Sequence, residues 1–261
     1  MKRAALMLIL CLFSSSGFSC LIFIFTGGKH VLVGNHEDWT ARDGRMRFIP
    51  GNNKQLGAIV FDFESEGLIQ GGMNTVGLFF DGTATPFVPM DFSDKEEFKG
   101  ADMWPTLLQT CKTTNDAVTF VQRYKIPDLE KVHLFFADRS GQSVIVGAYD
   151  GKLTFTWKSQ PQQVLTNFNI TDPEYGGEQS CPRFATAMQI LSNPDDAVET
   201  AKRVLQQTTQ GDLTVYSSLF DLTDGSVTVY YQGDFSKSVT INLASELKLG
   251  AHSLLISKSV H

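Results

Sequence analysis

A cysteine becomes a working nucleophile when a base takes its proton, and Cys20 has a route to such a base within its own residue. The nineteen residues before it read as an export signal. Lys2 and Arg3 form a basic start, Ala4 to Phe13 is an uninterrupted apolar run, and Gly17 and Ser19 are the small residues a signal peptidase accepts. The run is far shorter than the ~20 residues a bilayer span needs. A cut after Ser19 frees the Cys20 α-amine, whose unperturbed pKa of about 7.7–8.0 leaves part of it unprotonated at neutral pH. Nucleophile and general base would then share one residue.

Three other fates are open to Cys20. It could be a buried small hydrophobe, or the cut could fall elsewhere. It could also carry a lipoprotein anchor, although Gly17 and Phe18 fit a lipobox poorly. Cys11 leaves with the signal, so Cys20, Cys111 and Cys181 remain. A Cys111–Cys181 bridge would leave Cys20 free, but spacing alone does not decide that pairing.

The elements around Cys20 bear on its chemistry. Leu21 to Thr26 reads as a strand, Gly27-Gly28 as a two-residue turn, and His30 to Val33 as a second strand. With that turn Cys20 faces Asn35, and Glu37 and Asp38 follow at the strand end. An acid there could hold an α-ammonium or accept from the thiol.

These residues carry a resemblance. Cys20 followed by a strand, a turn and Gly34-Asn35-His36-Glu37-Asp38-Trp39 resembles the opening of the choloylglycine hydrolase and penicillin V acylase family, N-terminal nucleophile hydrolases of linear amides. Gly71-Gly72-Met73-Asn74-Thr75-Val76-Gly77-Leu78, Leu165-Thr166-Asn167, Cys181-Pro182-Arg183-Phe184 and the segment Ser217 to Tyr230 are similar to later motifs in the same order. The resemblance implies Cys20 as nucleophile and Asp38 as the carboxylate beside the amine. It implies Asn167 as an oxyanion donor and Arg183 as a guanidinium near the thiolate. A backbone N–H from Gly82-Thr83 would be the second oxyanion donor, with Thr83 and Asn35 as supporting positions. Asn35 is a departure, because the family has Arg there. One cationic support of the thiolate is therefore missing, and Arg183, Arg42, Arg45 or Arg47 would have to compensate.

Further along, the order of elements is strands, helices, strands, helices, strands. Helices are expected near residues 101–111, from a cap at Thr114 or Asn115, at 184–191 and at 194–207; strands are expected over 132–137, 144–148, 153–157, 163–167, 215–220, 227–231 and 239–243. This order suits an α+β fold of two stacked sheets between helix layers, which is also the four-layer αββα sandwich the resemblance implies. Residues 20–261 are expected to form one domain after a cleaved 1–19 signal, giving a secreted or periplasmic protein. A loop from Thr83 to Phe98 is long enough to shape a site, and Phe79, Phe80, Phe87, Met90 and Phe92 could line an apolar pocket or simply fill the core.

Several classes drop out. With 22 Lys and Arg against 28 Asp and Glu the chain is acidic, a poor match for nucleic acid. No Gly-x-Gly-x-x-Gly follows a strand. The five histidines show no ligand spacing, so neither metal nor other cofactor is expected. His36 beside Asp38 reads as solvated, and a Cys20–His133 pair of papain type lacks that family's local signature. Asn169-Ile170-Thr171 fits a glycosylation sequon. The expected partner is a small N-acyl amide, with no integral membrane span and oligomeric state open, a homo-oligomer included. An acyltransferase on the same scaffold and a non-catalytic binding protein anchored at Cys20 are the rivals.

Overall fold

The computed structural model describes residues 20–172 and 181–261, so the expected export signal lies outside the described residues. Strands β1 (Leu21–Gly27) and β2 (His30–Asp38) form the first hairpin. Its register departs from the sequence expectation. Gly27 pairs with His30 and Leu21 with His36, so the turn is Gly28-Lys29 and Cys20 falls opposite Glu37 rather than Asn35. The reason is local: Gly28 takes a φ of +59°, the conformation a tight hairpin turn asks of its first central residue, while Gly27 stays extended.

The next strands are β3 (Gly44–Ile49), β4 (Ala58–Phe63), β5 (Ile69–Asn74) and β6 (Phe79–Ala84). Two helices follow, α1 (Met103–Thr110) and α2 (Thr114–Arg123). Thr113, not Thr114 or Asn115, caps α2, because its side chain and that of Asp116 form a reciprocal capping box. Then come β7 (Val132–Ala137), β8 (Ser143–Tyr149), β9 (Lys152–Trp157) and β10 (Gln162–Leu165). A second helix pair, α3 (Pro182–Leu191) and α4 (Ala197–Gln207), precedes β11 (Thr214–Asp221), β12 (Ser226–Tyr231), β13 (Asp234–Asn242) and β14 (His252–Leu255). α4 starts at its Asp196 cap, two residues beyond the expected Pro194. The sequence reading missed β3 and β14, which pair with each other.

All pairings among these strands are antiparallel. One sheet has the order β10-β1-β2-β11-β12-β13 and the other β14-β3-β4-β5-β6-β7-β8-β9. Side-chain alternation sorts the core into three layers. Ile22, Ile24, Val33, Phe61, Phe79, Phe135 and Phe220 meet between the sheets. Leu21, Phe23 and Leu32 turn outward onto Phe184 and Ala187 of α3 and Val204 and Leu205 of α4. Val60, Phe80 and Phe136 pack on Leu107, Leu108, Ala117 and Val121 of α1 and α2. The result is the expected αββα sandwich, since each amphipathic helix covers one outer sheet face.

The Asn74 motif is structural. Asn74 Nδ2 donates to the Leu108 and Cys111 carbonyls at 2.8 Å each, closing the C-terminus of α1. Its Oδ1 accepts from the Val76 and Leu78 N–H groups, and Gly77 completes the turn at φ +84°. Cys20, Cys111 and Cys181 are all free thiols, so no Cys111–Cys181 bridge forms.

Candidate active site

Cys20 immediately precedes β1 and is buried, at 8% exposure. Its neighbours follow from the two ladders it extends. On one side the β1–β2 register continues from Leu21↔His36 to Cys20 beside Glu37. On the other, the β1–β10 ladder ends at Ile22↔Leu165, and Asn167 lies in the bend two residues beyond β10. β2 in turn pairs Glu37 with Tyr216 and Asn35 with Ser218 of β11. Residues side by side across a sheet share a face. Cys20, Glu37, Asn35 and Tyr216 therefore belong to the inter-sheet face.

The contacts agree. The Cys20 thiol donates to Glu37 Oε2 at 3.7 Å. Asn35 Nδ2 donates to Asp81 Oδ2 of β6 at 2.7 Å and to Glu37 Oε1 at 3.5 Å, and its Oδ1 accepts from the Ser218 hydroxyl. Burial, followed by the charges of Glu37 and Asp38, holds the Cys20 thiol well above the usual thiol range; the Asp38 backbone N–H works the other way. Burial also raises Glu37 and Asp81 well above the carboxylate range, with Asp81 adding to the shift of Glu37. Tyr216 is likewise pushed up by burial, and among the described residues its hydroxyl has no hydrogen-bond partner.

Asp38 is one residue beyond Glu37 and turns to the opposite, helix-facing side. It is fully buried and receives Arg183 Nη1 at 2.8 Å, Gln210 Nε2 at 2.8 Å and the Thr214 hydroxyl at 2.5 Å. Arg183, in the first turn of α3, also donates from Nε to the Thr208 carbonyl at 2.6 Å. The guanidinium expected near the thiolate is thus bonded to the carboxylate whose backbone faces the sulfur. His36, expected to be solvated, is fully buried between the Ser217 and Thr208 hydroxyls, and burial lowers its pKa.

The two expected oxyanion elements meet. Thr83 Oγ1 donates to the Thr166 carbonyl at 3.2 Å, and Asn167 Nδ2 donates to the Ala84 carbonyl at 2.8 Å. Backbone direction alternates along β6. The Thr85 N–H reaches Lys131, so that of Thr83 also points towards β7, whereas those of Gly82 and Ala84 point the other way. The Gly82 N–H meets the Asp81 carboxylate at 2.6 Å, which leaves Ala84 as the backbone donor turned to the site.

A cavity of about 220 Å³ opens onto the sulfur. Its wall is mainly apolar, with Trp39, Leu68, Ile69, Phe80, Trp104 and Leu134, and Gln70 and Asp128 add polar groups. Of the expected aromatic liners only Phe80 contributes; Phe79 is inter-sheet core and Phe87 is exposed. A larger cleft, about 740 Å³, lies around Gly28, His30 and Asp195 at the far end of the hairpin. There His30, Asp221 and Asp224 bring ligand atoms within 4.8 Å of one another, a trio the sequence reading did not foresee. His30 Nδ1 already meets Asp221 Oδ2 at 2.5 Å. Asn169, the sequon residue, is buried and bonded to Thr171 and the Ala148 carbonyl. Among the described residues no helix is long and apolar enough to cross a membrane.

Asp81, Ala84 and Tyr216 were absent from the expected site, and Glu37 was expected only as one of two acids at the strand end, beside Asp38. The signal for Glu37 was available: a turn at Gly28-Lys29 moves the pairing by one residue on each strand and places it opposite Cys20. Asp81 carries no such local signal, since it reaches the site from the second sheet.

No family model matches the chain, and no curated protein matches it by sequence. Solved structures do match. Penicillin V acylase from Agrobacterium tumefaciens aligns over 93% of this chain and 97% of its own, at 18% identity and a TM-score of 0.64. A mutant form of conjugated bile acid hydrolase from Clostridium perfringens aligns over 91% and 96%, at 17% identity and 0.65. A Caenorhabditis elegans N-acylethanolamine-hydrolyzing acid amidase ortholog aligns over 78% and 93%, at 15% identity and 0.54. The chain shares its fold with these proteins over most of their length.

Proposed function

We propose that the chain is an exported cysteine hydrolase of linear carbon–nitrogen amides, trimmed so that Cys20 becomes the first residue of a single domain spanning 20–261. The observation that carries this is the place of Cys20. It is a buried thiol immediately before a strand, hydrogen-bonded to Glu37, in the wall of an apolar cavity. The fold shared with three amide-cleaving proteins supports the same reaction class.

In the untrimmed chain the thiol has no α-amine, and its carboxylate neighbours disfavour the thiolate. Trimming supplies the base. The amine takes the thiol proton, Cys20 Sγ bonds to the amide carbonyl carbon, and the oxygen becomes an oxyanion. Asn167 and the Ala84 N–H, with Thr83 fixing the strand against Thr166, are the donors aimed at that oxygen. The C–N bond then breaks, the departing amine takes the proton, and an acyl thioester remains. Water, activated by the α-amine, hydrolyses it and restores the thiol. Asp38 and Arg183 hold the backbone beside the sulfur, and Asn35 holds the acid side chains. The cavity suits a small N-acyl amide whose acyl group is apolar, because its walls offer aromatic and aliphatic surface.

Intact mass of the exported protein tests the first step, with a free Cys20 at its start expected and a lipid-sized increment or another terminus refuting it. A panel of N-acyl amides tests the second: Cys20→Ala abolishes turnover, Cys20→Ser reduces it sharply, and Asn167→Ala costs ~10²–10³ in rate. Full turnover by Cys20→Ala overturns the reading. Added amines reveal in the products whether water or an amine receives the acyl group.

A further inference from the structure

Two carboxylates stand beside the sulfur, and a neutral amide joins them. Glu37 and Asp81 are 1% and 2% exposed, and both accept from Asn35 Nδ2. Arg183 answers Asp38 on the other face of the sheet and so supplies no charge-assisted bond to this pair. An amide bridge fixes geometry but adds no charge. Two buried carboxylates held by one donor group do not both ionise cheaply, and a single proton between them relieves the repulsion.

We propose that Glu37 is the positioning residue of the Cys20 thiol, and that Glu37 and Asp81 act as one unit holding a single proton across Asn35. The inference rests on the reading of Cys20 as nucleophile and adds what tunes it. Glu37 Oε2 accepts the thiol and aims the sulfur along the inter-sheet face, while Asn35, locked by Ser218, aims both acids. With one proton the unit carries a single negative charge, and the thiolate forms beside it. When the last proton leaves, a second charge appears next to the sulfur and opposes ionisation of the thiol. Loss of that proton and loss of the thiol proton therefore work against each other.

The groups facing Glu37 come from four strands. They are Cys20 with its freed α-amine on β1, Asn35 and Asp38 on β2, Asp81 on β6 and Tyr216 on β11. Asp38 is matched by Arg183, and burial keeps Tyr216 protonated. The charges acting on the sulfur are those of the carboxyl pair, Asp38 and the amine, and of the three acids only Asp38 has an ion-pair partner among the described residues.

The test is the rate of Cys20 alkylation by iodoacetamide, followed by mass spectrometry from acid to alkaline pH on the trimmed protein. Alkylation needs no substrate. The wild-type rate is expected to rise over a span wider than the ~2 pH units of an isolated site. Glu37→Gln and Asp81→Asn, both close in shape, each give a steeper curve at lower pH, with labelling at neutral pH faster by about tenfold for each unit that the thiol pKa falls. On an amide substrate Glu37→Gln lowers kcat more than it changes KM, because the thiol is freer but no longer aimed. A steep wild-type curve, or superimposed curves for the three proteins, overturns the proposal. Should either variant fail to fold, the other and the wild-type curve still decide it. Turnover by Cys20→Ala would instead remove the nucleophile reading and leave the labelling result standing.

Discussion

Replacing Arg183 with Met isolates the ion pair that anchors the end of β2 beside Cys20. The substitution keeps the bulk of the side chain and removes, among the described residues, the bonds from Nη1 to Asp38 at 2.8 Å and from Nε to the Thr208 carbonyl at 2.6 Å. Asp38 is fully buried and Arg183 nearly so, with side-chain exposures of 0% and 13%. The carboxylate left behind keeps Thr214 and Gln210 but loses its countercharge. Removing one partner of a buried pair typically costs about 3–5 kcal/mol, against 0–1 for an exposed pair. At about 2–4 °C per kcal/mol for a chain of this size, Tm should fall by about 6–20 °C. Urea and thermal unfolding of the trimmed protein measure it, at low and high salt, because a buried pair is screened little. Arg183→Met combined with Asp38→Asn should be more stable than Arg183→Met alone, since it removes the stranded charge. A loss below about 1 kcal/mol, or a loss that high salt abolishes, would refute the buried-pair argument.

Two further outcomes follow from packing and burial. A methyl at Gly34 would come within 2.4 Å of the Phe23 ring and 3.3 Å of Leu205, so Gly34→Ala should destabilise by about 1–3 kcal/mol, read as a lower urea midpoint at constant m-value. Burial lowers the His133 pKa to about 4, partly offset by Asn169. The folded state then binds fewer protons than the unfolded one from pH ~6.5 down to ~4, and His133 contributes stability that is present above that window and lost as pH falls through it. The slope is about 1.4 kcal/mol per pH unit, and His133→Leu should flatten it in a pH series of melting curves; an unchanged slope would show that His133 is charged in the fold.

Most elements could be read from the sequence because their apolar alternation is plain, as in Val132 to Ala137 or Val144 to Ala148. The first hairpin's register could not, since Gly27-Gly28 offers two turn placements one residue apart. Packing decides: a Cβ at Gly27 would lie 2.8 Å from the Phe25 ring and 3.0 Å from Ala197, which marks it as a strand residue against α4. β3 is harder to read although Gly44, Met46 and Phe48 alternate inward, because Arg45 and Arg47 between them look like free cations. They bind Asp62 instead, Arg45 at 2.9 Å and Arg47 at 2.6 Å. The expectation for Cys20 came from the residues before it, and those for Asn167, Arg183 and Asp38 from resemblance. Asp81 was not, because its meeting with Asn35 joins β2 to β6 across two sheets.

Glu37 and Asp38 show why neighbouring acids need not share a task. Successive strand residues point to opposite faces. Asp38 turns to the helices, where a guanidinium from α3 and two further donors hold it. Glu37 turns to the inter-sheet layer, where it meets a thiol and an amide. The first arrangement is a closed ion pair and fixes the backbone N–H that faces the sulfur. The second has no cationic side chain bonded to it among the described residues. Asn35 sustains this difference, because it joins Glu37 and Asp81 through a neutral amide where a guanidinium would form a charged bond to Asp81. The same parity makes the site fragile to register. A one-residue slip of β2 would send Asp38 to the sulfur and Glu37 to Arg183, exchanging a tunable acid for a fixed one. The turn at Gly28, some eight residues away along the strand, therefore governs which carboxylate Cys20 meets.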